Sequence, residues 1–226
     1  MYANANVIEP TTTSCRELPW VEFQSNQQRV HVYSAREALF CEGDSAQFVY
    51  EVLDGVVCCY SLLSDGRRQV LSFSYPGDLI GLVQGDSHRY NCDTLCPTQI
   101  RCIPRNMLLR TAHERPEVGE KLLTFATTEL AAMQDHFISI GRKSAQEKVA
   151  SFLLTLAHRH AIEPTGSVTL RLPMTRADIA DYLGITIETV SRCLSKLKIA
   201  GVIDLPQSAT VVIRDVDNLR DFAERD

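Results

Sequence analysis

At Pro116 the spacing of apolar residues changes, and that change limits what the chain can fold into. Between about residues 21 and 110 the runs HVYS, QFVYEVL, GVVCCYSLL, RRQVLSFSY, DLIGLV and TQIRCI are short and rich in Val, Ile, Tyr and Phe. Gly43, Gly55, Gly66 and Gly77 separate them at 11- or 12-residue intervals, each beside an Asp or a Pro. Short strands at even spacing imply an antiparallel, jelly-roll-like unit of about 90 residues. Asp65-Gly66 is its best hairpin signal. Beyond Pro116, which suits a first helical turn, Leu123, Ala126, Leu130, Met133, Phe137 and Ile140 recur at steps of three and four. This a/d stripe lasts about two and a half heptads and fits either a two-fold helical interface or a helix lying on the β unit. Gly141 is expected to end it and to act as a hinge. Strands first and helices afterwards define an α+β chain.

A second helix, SAQEKVASFLLTLAHRHA, opens at Ser144 with Glu147 three residues on, a capping box, and Val149, Phe152, Leu153 and Leu156 form its apolar face. Pro164-Thr-Gly166 breaks the chain. Ser167–Leu172 then alternates Val168, Leu170 and Leu172 with polar residues, the pattern of a half-buried strand.

The most informative stretch is TRADIADYLGITIETVSRCLSKLKIAGVI, residues 175–203. Thr175 and Asp178 make a second capping box. Ile179 and Leu183 face inward, and Ala180 is small where another helix must approach closely. Gly184 supplies a tight turn and Thr186 caps the next helix, whose inward side carries Val190, Cys193, Leu194 and Leu197. These are the demands of a helix-turn-helix. The turn at Gly201–Asp204 and the run Thr210–Ile213 add a β-wing. In such a motif the N-terminal residues of the second helix reach base edges in the major groove. Here those are Ile187, Glu188, Ser191 and Arg192. Arg192 suits guanine, Glu188 suits the cytosine amino group, and Ser191 is adaptable. An i,i+4 surface ion pair between Glu188 and Arg192 is the plainer alternative. Thr175, Arg176, Thr186 and Thr189 sit at helix N-termini and suit phosphate contacts.

Charge points the same way. The net charge of −5 hides a division. Residues 141–201 hold 9 Lys/Arg against 5 Asp/Glu, whereas residues 1–140 hold 11 against 17. No run approaches the ~18 apolar residues of a membrane-spanning helix, and no export signal is visible, so a cytoplasmic protein with free thiols is expected. The eight cysteines (Cys15, Cys41, Cys58, Cys59, Cys92, Cys96, Cys102, Cys193) match no zinc spacing, and no metal site is expected. Cys92, Cys96 and Cys102, with His88 nearby, have x₃ and x₅ spacings that fit no standard site. A metal-dependent enzyme on a cupin-like barrel would need more histidines than His31 and His88 before His113, and no catalytic residues are assigned. Cys193, next to Arg192, is a candidate redox-sensitive thiol.

The glycine-punctuated β unit, heptad helix and winged helix-turn-helix together resemble the CRP/FNR family of bacterial transcription regulators over roughly residues 20–220, most specifically in TRADIADYLGITIETVSR. The pattern Glu188-x-x-Ser191-Arg192, with Ile187 where the cAMP-receptor branch has an arginine, resembles the FNR/FixK-like branch. The resemblance implies an N-terminal arm (1–20), a β-roll of the cyclic-nucleotide-binding-domain type (21–112), a dimerisation helix (113–141) and a winged helix-turn-helix DNA-binding domain (142–226). It further implies a homodimer on double-stranded DNA, a palindrome like TTGAT-N₄-ATCAA, contact with RNA polymerase, and activation of low-oxygen genes. It implies no cofactor: only Cys15 stands where FNR has several N-terminal cysteines for an iron–sulfur cluster. Arg89-Tyr90 in GDLIGLVQGDSHRYN lacks the small hydroxyl residue and the glutamate that hold a cyclic nucleotide. The alternative within the same fold is an effector- or redox-sensing regulator using a β-roll ligand (haem or a small molecule) or Cys193.

Overall fold

The computed structural model describes residues 29–160 and 166–224. The expected arm, Cys15 and the break at Pro164 lie outside the described residues. The described residues divide into two compact units, one up to residue 136 and one from residue 137 onward.

Among the described residues of the first unit, apolar runs build eight strands: β1 (Arg29–Tyr33), β2 (Ala38–Phe40), β3 (Phe48–Asp54), β4 (Val57–Leu62), β5 (Arg68–Ser74), β6 (Leu79–Ile80), β7 (Asn91–Thr94) and β8 (Thr98–Pro104). They form two four-stranded antiparallel sheets, ordered β1-β8-β3-β6 and β2-β7-β4-β5. Inward residues from both close one core: Val52, Ile80 and Ile100 from the first, Phe40, Val57, Cys59 and Cys92 from the second. This is the expected jelly-roll-like sandwich. At the hairpin after β4, the Leu63 N–H donates to the Arg67 carbonyl at 2.8 Å, and Gly66 takes φ +84°. At Gly55 (φ +86°) a Cβ would stand 2.5 Å from Thr98 Oγ1 and 2.7 Å from the Pro97 carbonyl oxygen, so only glycine fits.

Two strands and a helix in this unit were not expected. β2 (ALF) is only three residues long and β7 (NCDT) is mostly polar; they become strands by pairing with each other, and β7 also with β4. Of DLIGLV, only Leu79–Ile80 is strand. Helix α1 (Arg105–Glu114) follows Pro104 without a side-chain cap and is anchored by the buried Leu108.

Helix α2 (Pro116–Arg142) starts at the expected proline. Its Leu122 and Phe125 pack on Val49, Leu79, Ile103 and Leu108. The neighbouring stripe is turned away: Leu123, Leu130, Met133 and Phe137 are exposed on the single chain, Phe137 by 80%. Ala126 is exposed and Ile140 half-buried. Of the two destinations the sequence offered, the β unit takes the face bearing Leu122 and Phe125, and the a/d stripe is not the face that packs there. Gly141, expected to end the stripe, follows its last residue Ile140, and the helix itself runs on to Arg142; a helix tolerates one glycine at a cost of about 1 kcal/mol.

The second unit contains α3 (Ala145–His160), β9 (Val168–Arg171), α4 (Arg176–Leu183), α5 (Ile187–Ile199), β10 (Ile203–Gln207), β11 (Thr210–Ile213) and α6 (Val216–Ala223). Ser144 caps α3 as expected, its N–H donating to Glu147 Oε2 at 2.6 Å. Val149, Phe152, Leu153 and Leu156 are buried, and α3 packs on α5 and α6. Lys143 Nζ donates to Ser151 Oγ at 2.7 Å and to the Ala223 carbonyl at 3.0 Å, tying the start of α3 to the end of α6. The three strands form one antiparallel sheet, β10-β11-β9, with Ile213 opposite both Ile203 and Val168.

Candidate nucleic-acid interface

Local chemistry fixes the start of α4. The Thr175 N–H and hydroxyl both donate to Asp178 Oδ2 at 2.7 Å, and the Asp178 N–H donates back to Thr175 Oγ1 at 3.2 Å. Asp178 is only 1% exposed. Gly184 ends α4 at φ 63°, ψ 40°, a left-handed turn that reverses the chain into α5. Ile179, Ala180 and Leu183 are buried on α4, and Val190, Cys193, Leu194 and Leu197 on α5. The two helices pack on each other.

With that side of α5 buried, its opposite side is presented to solvent. Ile187, Glu188, Ser191 and Arg192 are all exposed, together with Ser195, Lys196 and Lys198 further along. The N-terminal residues singled out as base readers therefore share one accessible surface. Glu188 is held below the usual carboxylate range by its own backbone N–H and by the Thr186 hydroxyl, with Arg192 adding a smaller attraction. The Arg192 guanidinium is directed to the neighbouring turn of its own helix: its Nη2 donates to Thr189 Oγ1 at 3.1 Å. Lys196 and Lys198, which sequence reasoning did not select, continue the positive charge along α5. Their signal was the KLK spacing after Arg192.

The expected phosphate ligands are placed unevenly. Thr175 is exposed but commits its hydroxyl to Asp178, so its contribution would come through the N-terminal amides of α4. Arg176 is half-buried, burial lowers its pKa, and its Nη2 reaches the carbonyl of Ser208 in the turn of the β10–β11 wing at 3.5 Å. Arg176 thus links the wing to the helix-turn-helix, a contact no local pattern announced. Thr186 caps α5, accepting the Thr189 N–H at 3.3 Å. Cys193 lies on the inward face, and burial pushes its thiol up although Lys196 and Arg192 pull the other way.

In the β unit, the interior is filled by the chain's own rings. Phe40 stacks on His88 at 3.7 Å, with Tyr50 and Tyr90 at 5.4 and 5.5 Å from Phe40. The Tyr90 hydroxyl accepts the Gly81 N–H at 3.1 Å, and Arg89 points to the exposed surface. Cys92, Cys96 and Cys102 are not gathered into a site. Among the described residues no group of three or more His, Cys, Asp or Glu side chains is placed to hold a metal ion.

Two packed helices joined by a left-handed glycine, followed by a β-wing and presenting a basic, polar helix face, define a winged helix-turn-helix DNA-binding protein. Comparison with known proteins agrees at the level of each part. Residues 147–222 match the Crp-like helix-turn-helix domain, and residues 30–115 match the cyclic nucleotide-binding domain. The chain is 41% identical over 177 residues to the transcriptional activatory protein AadR of Rhodopseudomonas palustris, covering 78% of this chain and 74% of that protein. It is 41% identical over 182 residues to the nitrogen fixation regulation protein FixK of Bradyrhizobium diazoefficiens, covering 80% and 76%. The solved structure of FixK2 from Bradyrhizobium japonicum superposes with a TM-score of 0.81 at 38% identity, covering 88% of this chain and 98% of that one. The chain belongs to the CRP/FNR family of transcription regulators, in its FixK-like branch. It is a transcription regulator with a helix-turn-helix DNA-binding domain, as its relatives are, and not an enzyme. Among the described residues no helix is long and apolar enough to cross a membrane.

Proposed function

We propose that the protein acts in the cytoplasm as a homodimer that reads a palindrome like TTGAT-N₄-ATCAA and recruits RNA polymerase to genes used under low oxygen. The observation that carries this reading is the exposed trio Glu188, Ser191 and Arg192 on one face of α5, in the spacing of the FNR/FixK-like branch. The dimer is formed by the apolar stripe of α2, the exposed Leu123, Ala126, Leu130, Met133 and Phe137 with the half-buried Ile140, which a second copy would cover. Two such copies place two reading helices in successive major grooves about one helical turn apart. The N-terminal amides of α4, Arg176 and Thr186 set the register on the phosphates.

The reading includes no resident cofactor. Phe40, Tyr50, His88 and Tyr90 occupy the space between the sheets, and Arg89 is turned outward, an arrangement that does not fit a cyclic nucleotide. The described cysteines do not converge as iron–sulfur ligands would.

The test is equilibrium binding of the purified protein to the palindrome and to duplexes with one pair changed in each half-site. Arg192→Ala should lose discrimination at one base pair, worth about 1–3 kcal/mol per half-site. A variant that keeps its full preference at every position would show that Arg192 does not read a base. Absorbance and mass spectra of the isolated protein test for haem or an organic effector; a stoichiometric bound species would replace the cofactor-free reading.

A further inference from the structure

Arg192 is hydrogen-bonded along its own helix. Its Nη2 donates to Thr189 Oγ1 at 3.1 Å. Thr189 Oγ1 in turn lies 3.0 Å from Thr186 Oγ1, a hydroxyl pair in which either can donate. A guanidinium only donates, so the Thr189 oxygen accepts from Arg192 while keeping its bond to Thr186. Both threonines are anchored to the backbone of α5: Thr186 is its N-cap and accepts the Thr189 N–H at 3.3 Å.

We infer that Thr189 is a positioning residue for base reading: its hydroxyl holds the Arg192 guanidinium over the exposed face of α5 before DNA arrives, with Thr186 fixing that hydroxyl. This rests on the base-reading role proposed for Arg192 and gives Thr189 a task other than phosphate binding. A free arginine side chain has many rotamers, and one tethered in advance loses fewer on docking. The two tasks have different signatures. A lost phosphate contact weakens every sequence alike, whereas a released arginine blurs the preference at the base pair that arginine reads.

The experiment measures binding of the full-length protein to the palindrome and to duplexes altered at each half-site position in turn. Thr189→Val removes the hydroxyl while keeping the β-branched shape, and Thr189→Ser restores it. Arg192→Ala first identifies the position that Arg192 reads. At that position Thr189→Val should lose about three- to tenfold of the preference, the range of a single net hydrogen bond, and Thr189→Ser should retain it. If Thr189→Val weakens all duplexes by one common factor, the positioning role is wrong even though base reading stands. If Arg192→Ala keeps its preference everywhere, the base-reading role itself fails and this inference falls with it. Should Thr189→Val not fold, side-chain ¹⁵N relaxation of Arg192 in the parent protein decides. A restrained guanidinium supports the tether, and one as mobile as a free side chain overturns it.

Discussion

Removing the carboxylate of Asp178 should loosen α4, the helix on which α5 packs. The side chain is 1% exposed and accepts both the Thr175 N–H and the Thr175 hydroxyl at 2.7 Å. Each hydrogen bond to a buried charge contributes about 1.5–3 kcal/mol net, and the two share one oxygen and one partner residue, so their effects do not simply add. N-cap losses alone measure about 0.5–2 kcal/mol. Asp178→Ala leaves two donors without their acceptor and opens a small void, and is expected to cost about 2–4 kcal/mol. Asp178→Asn keeps an acceptor but loses the charge, for about 1–2 kcal/mol. For a unit of roughly 90 residues, about 3 kcal/mol lowers the melting temperature by roughly 10–20 °C. Differential scanning calorimetry reads this directly, and hydrogen exchange at the α4 amides locates it. Should Asp178→Ala melt within about 2 °C of the parent, the capping box would not be what secures α4.

Three further outcomes follow from the same geometry. Phe137→Ser removes an 80%-exposed ring from each copy; at about 1.5–3 kcal/mol per buried side chain the dimer should weaken by roughly 100-fold or more, and sedimentation equilibrium showing an unchanged assembly would exclude α2 as the interface. His88 is 2% exposed and burial lowers its pKa below the usual 6.5. Its neutral form is the one that fits, so the folded state loses stability as pH falls below about 6.5, and His88→Phe should flatten that part of the urea-midpoint profile between pH 7.5 and 5.5. Gly55→Ala places a Cβ 2.5 Å from Thr98 Oγ1 and 2.8 Å from Thr98 Cα at φ +86°. It should destabilise the β unit by about 2 kcal/mol or more, read as a lower urea midpoint, and a parent-like midpoint would show that the β3–β4 turn relaxes freely.

What the sequence determined by itself is what is written within three or four residues. The capping pairs Ser144–Glu147 and Thr175–Asp178, the left-handed Gly184, the hairpin at Asp65-Gly66 and the inward positions of α5 all depend on neighbours along the chain. Their side chains reach the same backbone that the spacing describes, so residue type is enough to infer them. Tertiary structure decided whatever needed a distant partner. Asn91–Thr94 is a strand because β4 and β2 lie on either side of it, and α1 is held by Leu108 in a core assembled from β3, β6 and β8. The stripe on α2 is read from periodicity, yet only packing shows Leu122 and Phe125 engaged and Phe137 bare. His88 stood out in the sequence only as a histidine near three cysteines and is a core ring, stacked on Phe40 from a strand 48 positions away. Arg176 finds the wing at Ser208. Such contacts bring together segments separated by long stretches of chain, and the chain-closure cost they overcome is met by the whole core rather than by any short motif.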